Sequence, residues 1–255
     1  MTGDVATQTW RLISLPISHY CEKVRWGLDR LQLLYQEEAH LLPFHRKVTE
    51  PLGGTTVPVL VTPDQILTDS AEILRFIDQW APESLKLYSE DPDRQQQIDL
   101  LETMFNQTLG PATRQWAYYY VLQQPELLQV LWCKDIPKKE RAVYPRMLPK
   151  LKQIVTDALE ISPTSAELAL KTISQVFEQV EQYLSRGHSF LLGDRMTGAD
   201  LTLAALAAPI ILPEEHPMHV SSGLAFPREM AQEILAFRTT LVGEFVLRMY
   251  RDHRR

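Results

Sequence analysis

The sequence lacks several features that would assign it to a specialised class. Its 255 residues include two cysteines, Cys21 and Cys133, too few for a disulfide framework or a cysteine-based zinc site. Acidic residues outnumber basic ones, and the net charge of −6 disfavours a nucleic-acid partner, because phosphate requires a basic surface. The most apolar run, residues 201–212, contains Pro209 and is too short to cross a bilayer, so no membrane partner is expected.

What remains is the composition of an ordinary globular protein. Hydrophobic residues make up 45% of the chain, enough to bury a substantial core. The N-terminus shows no secretory signal, so a cytoplasmic location is expected. Short basic clusters are interpreted as solvated surface: Lys138, Lys139 and Arg141, then Arg251, Arg254 and Arg255.

The first part of the chain alternates between strand and helix patterns. Apolar, β-type runs are TWRLISL (9–15), YQEEAHLL (35–42), VPVLV (57–61) and QILT (65–68). Helical periodicity covers residues 19–33 and 69–80, and residues 43–56 are irregular. The predicted order is therefore β-α-β-loop-β-β-α, an α/β domain over residues 1–86.

Beyond the polar connector at 87–93, the pattern is helical throughout, which predicts an all-α domain over residues 94–255. One helix is expected at 94–123, and another reaches residue 161 after a region broken by prolines. Thr164-x-x-Glu167 and Thr197-x-x-Asp200 resemble capping boxes that open two further helices. The last helix is expected at 228–249.

The stretch SHYCEKVRW (18–26) places Ser18 and Cys21 where a strand turns into a helix. Ser18 is either a simple N-cap or a hydroxyl that stabilises a thiolate at the positive end of the helix. Cys21 is either a small core residue, which its place in an apolar stripe favours, or an activated nucleophile.

Two further positions leave alternatives open. Pro58 marks either an edge strand or a cis bond that turns the backbone of Val57 toward a ligand. Asp69 and Ser70 either cap a helix or hold a carboxylate at its N-terminus.

Four segments in chain order resemble the glutathione S-transferases: SHYCEKVRW, VPVL, TDSAEIL and FLLGDRMTGADLTLAAL. The resemblance implies a thioredoxin-like N-terminal domain followed by an all-α helical bundle. It also implies a cytoplasmic homodimer that acts in detoxification, with glutathione as co-substrate, no metal, and a small hydrophobic electrophile as the second substrate. Ser18 would be the catalytic residue that holds the glutathione sulfur as thiolate.

The resemblance also assigns the rest of glutathione. Val57, with a cis Pro58, would pair its backbone with the cysteinyl part, and Asp69 and Ser70 would hold the γ-glutamyl end. Asp69 is one methylene shorter than the Glu or Gln usual in relatives. A cation for the glycyl carboxylate would come from the irregular loop, where the candidates are His45, Arg46 and Lys47.

The electrophile is expected between Ser18 and the first long helix of the second domain. That helix carries Arg114 and four aromatic side chains within five residues, which cannot all face one way. Tyr118 and Tyr119 are the candidates to line the pocket.

Two other functions remain open. The chain could be a non-catalytic binding or assembly module on the same fold, since fold does not fix function. It could also be a glutathione-dependent disulfide reductase that uses Cys21.

Overall fold

A computed structural model describes residues 9–217, 219 and 226–254 of the chain. The N-terminal part forms a mixed sheet of four strands in the order β2-β1-β3-β4. Strand β1 pairs in parallel with β2 and antiparallel with β3, which in turn pairs antiparallel with β4. The strands are β1 (Trp10–Ser14), β2 (Tyr35–Ala39), β3 (Val59–Val61) and β4 (Ile66–Leu67), and the helices are α1 (His19–Arg30), α2 (His45–Thr49) and α3 (Ser70–Asp78).

The predicted fold class is confirmed, because this α/β domain is followed by helices alone. These helices are α4 (Pro92–Met104), α5 (Gly110–Val121), α6 (Pro125–Trp132), α7 (Lys138–Ala158), α8 (Pro163–Leu184), α9 (Gly198–Ile211), α10 (Arg228–Arg238) and α11 (Leu241–His253). A π-helical turn, Phe105–Leu109, joins α4 to α5. Within the described part of the chain, no helix is long and apolar enough to span a membrane.

Helix α9 is the buried axis of the helical domain. Every residue of it except Pro209 is buried. The predicted capping box at its start is confirmed: Asp200 Oδ2 accepts hydrogen bonds from the backbone N–H and the hydroxyl of Thr197, both at 2.7 Å. Asp200 Oδ1 also accepts from the Leu191 N–H at 2.8 Å, so one buried carboxylate fixes both the helix and the preceding loop.

Three predictions about helices are wrong. The supposedly irregular loop contains α2, whose five residues are too few to show a periodicity. Helix α7 runs through Pro145 and Pro149, because burial of its inner face offsets the lost backbone hydrogen bonds. The expected last helix is two helices, since Thr240 caps α11 by accepting from the Gly243 N–H at 3.0 Å.

The capping box predicted at Thr164 and Glu167 is also wrong. Helix α8 begins two residues earlier, with Pro163 at its first position, where proline fits well. Ser162 Oγ accepts from the Ser165 N–H at 3.1 Å, and Ser165 Oγ accepts from the Ser162 N–H at 2.9 Å.

Helix α1 packs between the sheet and the helical domain, and it carries buried charges to that interface. Glu22 is fully buried and accepts from Arg254 Nε at 2.6 Å. Arg254 also donates to Asp29 at 2.8 Å, so the prediction that Arg254 is solvated is wrong. Lys23, fully buried, lies 3.5 Å from Glu102 of α4.

We expect Arg254→Met to lower the free energy of unfolding by about 3 kcal/mol, because it removes the hydrogen-bonded partner of the buried Glu22 carboxylate and leaves only Arg25, 3.9 Å away. Urea denaturation measures the effect. Arg251→Met is the matched control, three residues earlier and exposed, and it should leave stability unchanged. Equal stability of the two variants would contradict a structural role for the Glu22–Arg254 pair.

Candidate functional site

An interdomain cavity of about 560 Å³ lies between the start of α1 and the helical domain. This volume is in the range of small-molecule binding sites. From the α/β domain it is lined by Ser18, Arg46 and Val57, among others, and from the helices by Arg114 and Tyr118. We call it the interdomain cavity below.

Ser18 both caps α1 and faces this cavity. Its Oγ accepts a hydrogen bond from the Cys21 N–H at 3.3 Å, as an N-cap does. Among the described residues, the one group that competes for its hydroxyl hydrogen is the Cys21 thiol, whose pKa a hydrogen bond from Ser18 lowers against the larger effect of burial. The two interpretations of Ser18 are therefore compatible, because the side chain can cap the helix and still donate to a ligand.

Cys21 occupies a different environment. It is fully buried, does not line the interdomain cavity, and burial raises the pKa of its thiol. A buried thiol of raised pKa is a poor nucleophile. The structure thus gives Cys21 the position of a core residue.

The first turn of α1 is held against the helical domain by two hydrogen bonds. The Tyr20 hydroxyl donates to the Asn106 carbonyl at 2.7 Å, and His19 Nε2 lies 2.9 Å from the Gly110 carbonyl. Burial, with the nearby charge of Arg114, lowers the pKa of His19 to about 3. His19 is thus neutral and donates through Nε2, since a carbonyl can only accept.

Both acceptors belong to the π-helical turn or directly follow it. A π turn interrupts the regular helical hydrogen bonding, and such turns are frequent at functional sites. Gly110 is required there, because a Cβ would lie 2.8 Å from Tyr20 Cζ and closer still to its hydroxyl. The turn and the glycine together allow α1 to approach α5 closely beside Ser18.

The three basic candidates of the irregular loop lie on α2 and differ in position. His45 and Arg46 line the interdomain cavity, whereas Lys47 does not. His45 is buried, and within the described residues its Nδ1 has no hydrogen-bond partner. Burial, with the charge of Arg46, lowers its pKa to about 4, so a neutral histidine lies beside the cation of Arg46.

Of the other residues expected to bind glutathione, only some line the cavity. Val57 lines the cavity, and the Val57–Pro58 bond is cis. Asp69 and Ser70 do not line it, and Asp69 Oδ1 accepts from the N–H groups of Ala71 and Glu72 at 2.8 and 3.0 Å. Here the structure shows helix capping.

On α5, only one of the two tyrosines expected to line the electrophile pocket reaches the cavity. Tyr118 lines the cavity, and its hydroxyl accepts from Trp132 Nε1 at 3.3 Å. Tyr119 does not line the cavity, and its ring packs on that of Tyr120, with 5.0 Å between the ring centroids. Arg114 also lines the cavity, one turn before Tyr118, and it had no predicted role, although a cation on the pocket helix was the available signal.

Comparison with known proteins identifies the family to which the chain belongs. The family model described as the glutathione S-transferase N-terminal domain matches residues 12–85, and the model of the C-terminal domain matches residues 138–243. The chain belongs to the glutathione S-transferase superfamily. A search of curated proteins gave no match.

Solved structures of two transferases and of a β-etherase are similar to this chain over nearly its whole length. A glutathione S-transferase of Ceriporiopsis subvermispora, solved in complex with glutathione, is 17% identical with a TM-score of 0.62, and the match covers 97% of this chain and 98% of that one. Glutathione transferase F2 from Populus trichocarpa is 17% identical, with a TM-score of 0.57 and coverage of 95% and 99%. A β-etherase from Sphingobium sp. strain SYK-6 is 15% identical, with a TM-score of 0.57 and coverage of 93% and 98%. At these identities the likenesses show the shared fold.

We expect Gly110→Ala to destabilise the protein by about 1–3 kcal/mol more when Tyr20 is present than in the Tyr20→Ala background, because the added Cβ meets the Tyr20 ring. Urea denaturation of the four proteins of this double-mutant cycle measures the coupling. An equal effect of Gly110→Ala in both backgrounds would show that the two residues are not in close contact.

Proposed function

We propose that this chain is a glutathione transferase that binds glutathione in the interdomain cavity and activates its thiol as thiolate. The observation that carries the proposal is the position of Ser18, which lines the cavity at the N-terminus of α1, where its hydroxyl can reach a ligand. The thiolate then attacks small hydrophobic electrophiles that enter from the side of α5.

The activation follows from elementary electrostatics. A free thiol has a pKa near ~8.5 and is mostly protonated at neutral pH. A hydroxyl that donates to the sulfur favours the thiolate, as does the positive end of α1. The proton passes to solvent, and the sulfur forms a bond to the electrophilic carbon while the leaving group departs with its electron pair. Positioning both reactants in one cavity supplies much of the remaining rate enhancement over the uncatalysed reaction.

The rest of glutathione is assigned to the cavity and its edge. The backbone of Val57 pairs with the cysteinyl part, and the glycyl carboxylate meets Arg46 and His45, whose protonated form that carboxylate favours. Asp69 and Ser70 bind the γ-glutamyl end at the N-terminus of α3. Asp69 is close enough to the first turn of α1 for its charge to raise the pKa of Tyr20, although burial is the larger cause.

We extend the proposal to the organisation of the protein. Residues 1–86 supply the glutathione site and residues 94–255 the electrophile side, in a cytoplasmic homodimer that acts in detoxification. A disulfide reductase that uses Cys21 is disfavoured by the burial of that thiol.

The ultraviolet thiolate band of bound glutathione, followed from about pH 5 to 9, is expected to persist below the free thiol's pKa near ~8.5. Ser18→Ala should raise the pKa of the bound thiol by roughly one to two units, because a hydrogen bond to the charged sulfur is lost. Cys21→Ala is the control and should leave this pKa unchanged.

An unchanged pKa in Ser18→Ala would exclude the proposed role of Ser18. Absence of glutathione binding to the wild-type protein would instead favour the non-catalytic module.

Arg46→Gln should weaken glutathione binding by roughly threefold to tenfold, because Arg46 lines the cavity and its charge meets the glycyl carboxylate. Lys47→Gln is the matched control, a neighbouring cation that does not line the cavity, and it should bind glutathione like the wild type. Calorimetric titration measures both. An effect of Lys47→Gln as large as that of Arg46→Gln would contradict the assignment.

A further inference from the structure

The interdomain cavity has a charge opposite to that of the whole protein. The chain carries a net charge of −6, yet the described residues that line the cavity include three arginines and no Asp or Glu. The arginines are Arg46, Arg114 and Arg238.

Two of these cations already have a role. Arg46 lies on α2, on the glutathione side. Arg238 donates to the carbonyls of Ile211, at 2.7 Å, and of Leu212, at the C-terminal end of α9. It therefore satisfies backbone groups that the end of a helix leaves unpaired.

Arg114 is different. Among the described residues no carboxylate pairs with it, and its buried Nε has no hydrogen-bond partner. Arg114 is half-buried, so the cost concerns its Nε, because a buried donor without an acceptor loses its hydrogen bond to water. An unpaired guanidinium beside a cavity is a ready counter-ion for a planar anion, which it can bind with two parallel hydrogen bonds.

The surroundings of Arg114 define the rest of the ligand. The cavity lining includes apolar side chains, with Ala117 and Val121 on the same helix and Leu131 and Leu159 from α6 and the end of α7. Polar lining residues are also near Arg114, because its charge acts on Tyr118. Arg114 is also close enough to the start of α1 for its charge to lower the pKa of His19. A ligand anchored at Arg114 would thus have its hydrophobic body beside Ser18.

We propose that the second substrate of this protein is a hydrophobic molecule that carries a carboxylate or sulfonate, and that Arg114 binds that anionic group. This inference rests on the proposed function in calling the ligand a co-substrate. Its binding part is independent of glutathione and can be tested alone.

The first test compares two fluorescent probes of similar shape without glutathione, the anionic 8-anilinonaphthalene-1-sulfonate and the neutral N-phenyl-1-naphthylamine. Arg114→Gln should weaken binding of the sulfonate probe roughly tenfold or more and change the affinity for the neutral probe less than about threefold. Arg114→Lys should recover part of the sulfonate affinity. Arg146→Gln, a change at an exposed arginine of α7, should behave as wild type.

Retained binding of the neutral probe shows that Arg114→Gln is folded. Unchanged sulfonate affinity in Arg114→Gln, or equal weakening of both probes, would overturn the proposal. So would an Arg114→Gln variant that alters only the pKa of the bound glutathione thiol, because Arg114 would then act on the thiolate.

The second test asks whether the anion is a substrate. 4-Chloro-3,5-dinitrobenzoate and 2-chloro-1,3-dinitrobenzene differ only in the carboxylate. In both, the glutathione sulfur bonds to the ring carbon while chloride leaves with the electron pair. Arg114→Gln should raise the KM of the benzoate by roughly tenfold with little change in kcat, and leave the KM of the neutral substrate nearly unchanged. An equal rise of both KM values would contradict the proposal. If neither compound were turned over while the fluorescent probes still behaved as expected, the proposed transferase function would be wrong, but the anion-binding site at Arg114 would stand.

Discussion

The structure depends on the burial of α1 between its two domains. A single turn of this helix places three charged side chains, Glu22, Lys23 and Arg25, where almost no water reaches them. Each is stabilised by an opposite charge from another element, which for Glu22 and Lys23 belongs to the helical domain. Removing one member of a buried pair leaves the other uncompensated, so these pairs determine one way of docking the two domains.

The remaining pair fixes the other side of α1. Arg25 Nη2 donates to Glu37 of β2 at 2.7 Å. Burial alone would raise the pKa of Glu37, but the charge of Arg25 and the hydrogen bonds from Arg25 and Ser14 together outweigh it, and the pKa is lowered. Trp26 adds a hydrogen bond from its indole N–H to the His253 carbonyl at 3.0 Å and packs on Tyr250. The helix is thus held to both domains along its length, and its N-terminus has a fixed position at the interdomain cavity.

The site is the exposed end of this buried helix. The hydrogen bonds of His19 and Tyr20 to the π-helical turn continue the same interface to the cavity, and Ser18 is the next residue. Cys21, one turn later, already lies inside the core. The same packing therefore leaves the hydroxyl accessible and buries the thiol, and on the other wall it brings Arg114 and Tyr118 opposite Ser18.

Much of this could be predicted from the sequence, because the signals were local. Caps such as Asp200 act within one turn, and the strands and long helices show their own periodicity. Arg254 could not be placed, since its partners Glu22 and Asp29 are more than 200 residues away in sequence. The sequence also could not show that Arg46 lines the cavity and Lys47 does not, or that Tyr118 lines it and Tyr119 does not. Which side chain of a neighbouring pair reaches the cavity depends on the rotation of its helix relative to the other domain.

A crystal structure of the protein with glutathione bound would test the account most directly. The account predicts the sulfur within hydrogen-bond distance of Ser18 Oγ and the glycyl carboxylate at His45 and Arg46. A cavity that stays empty in saturating glutathione, or a sulfur placed away from Ser18, would contradict it.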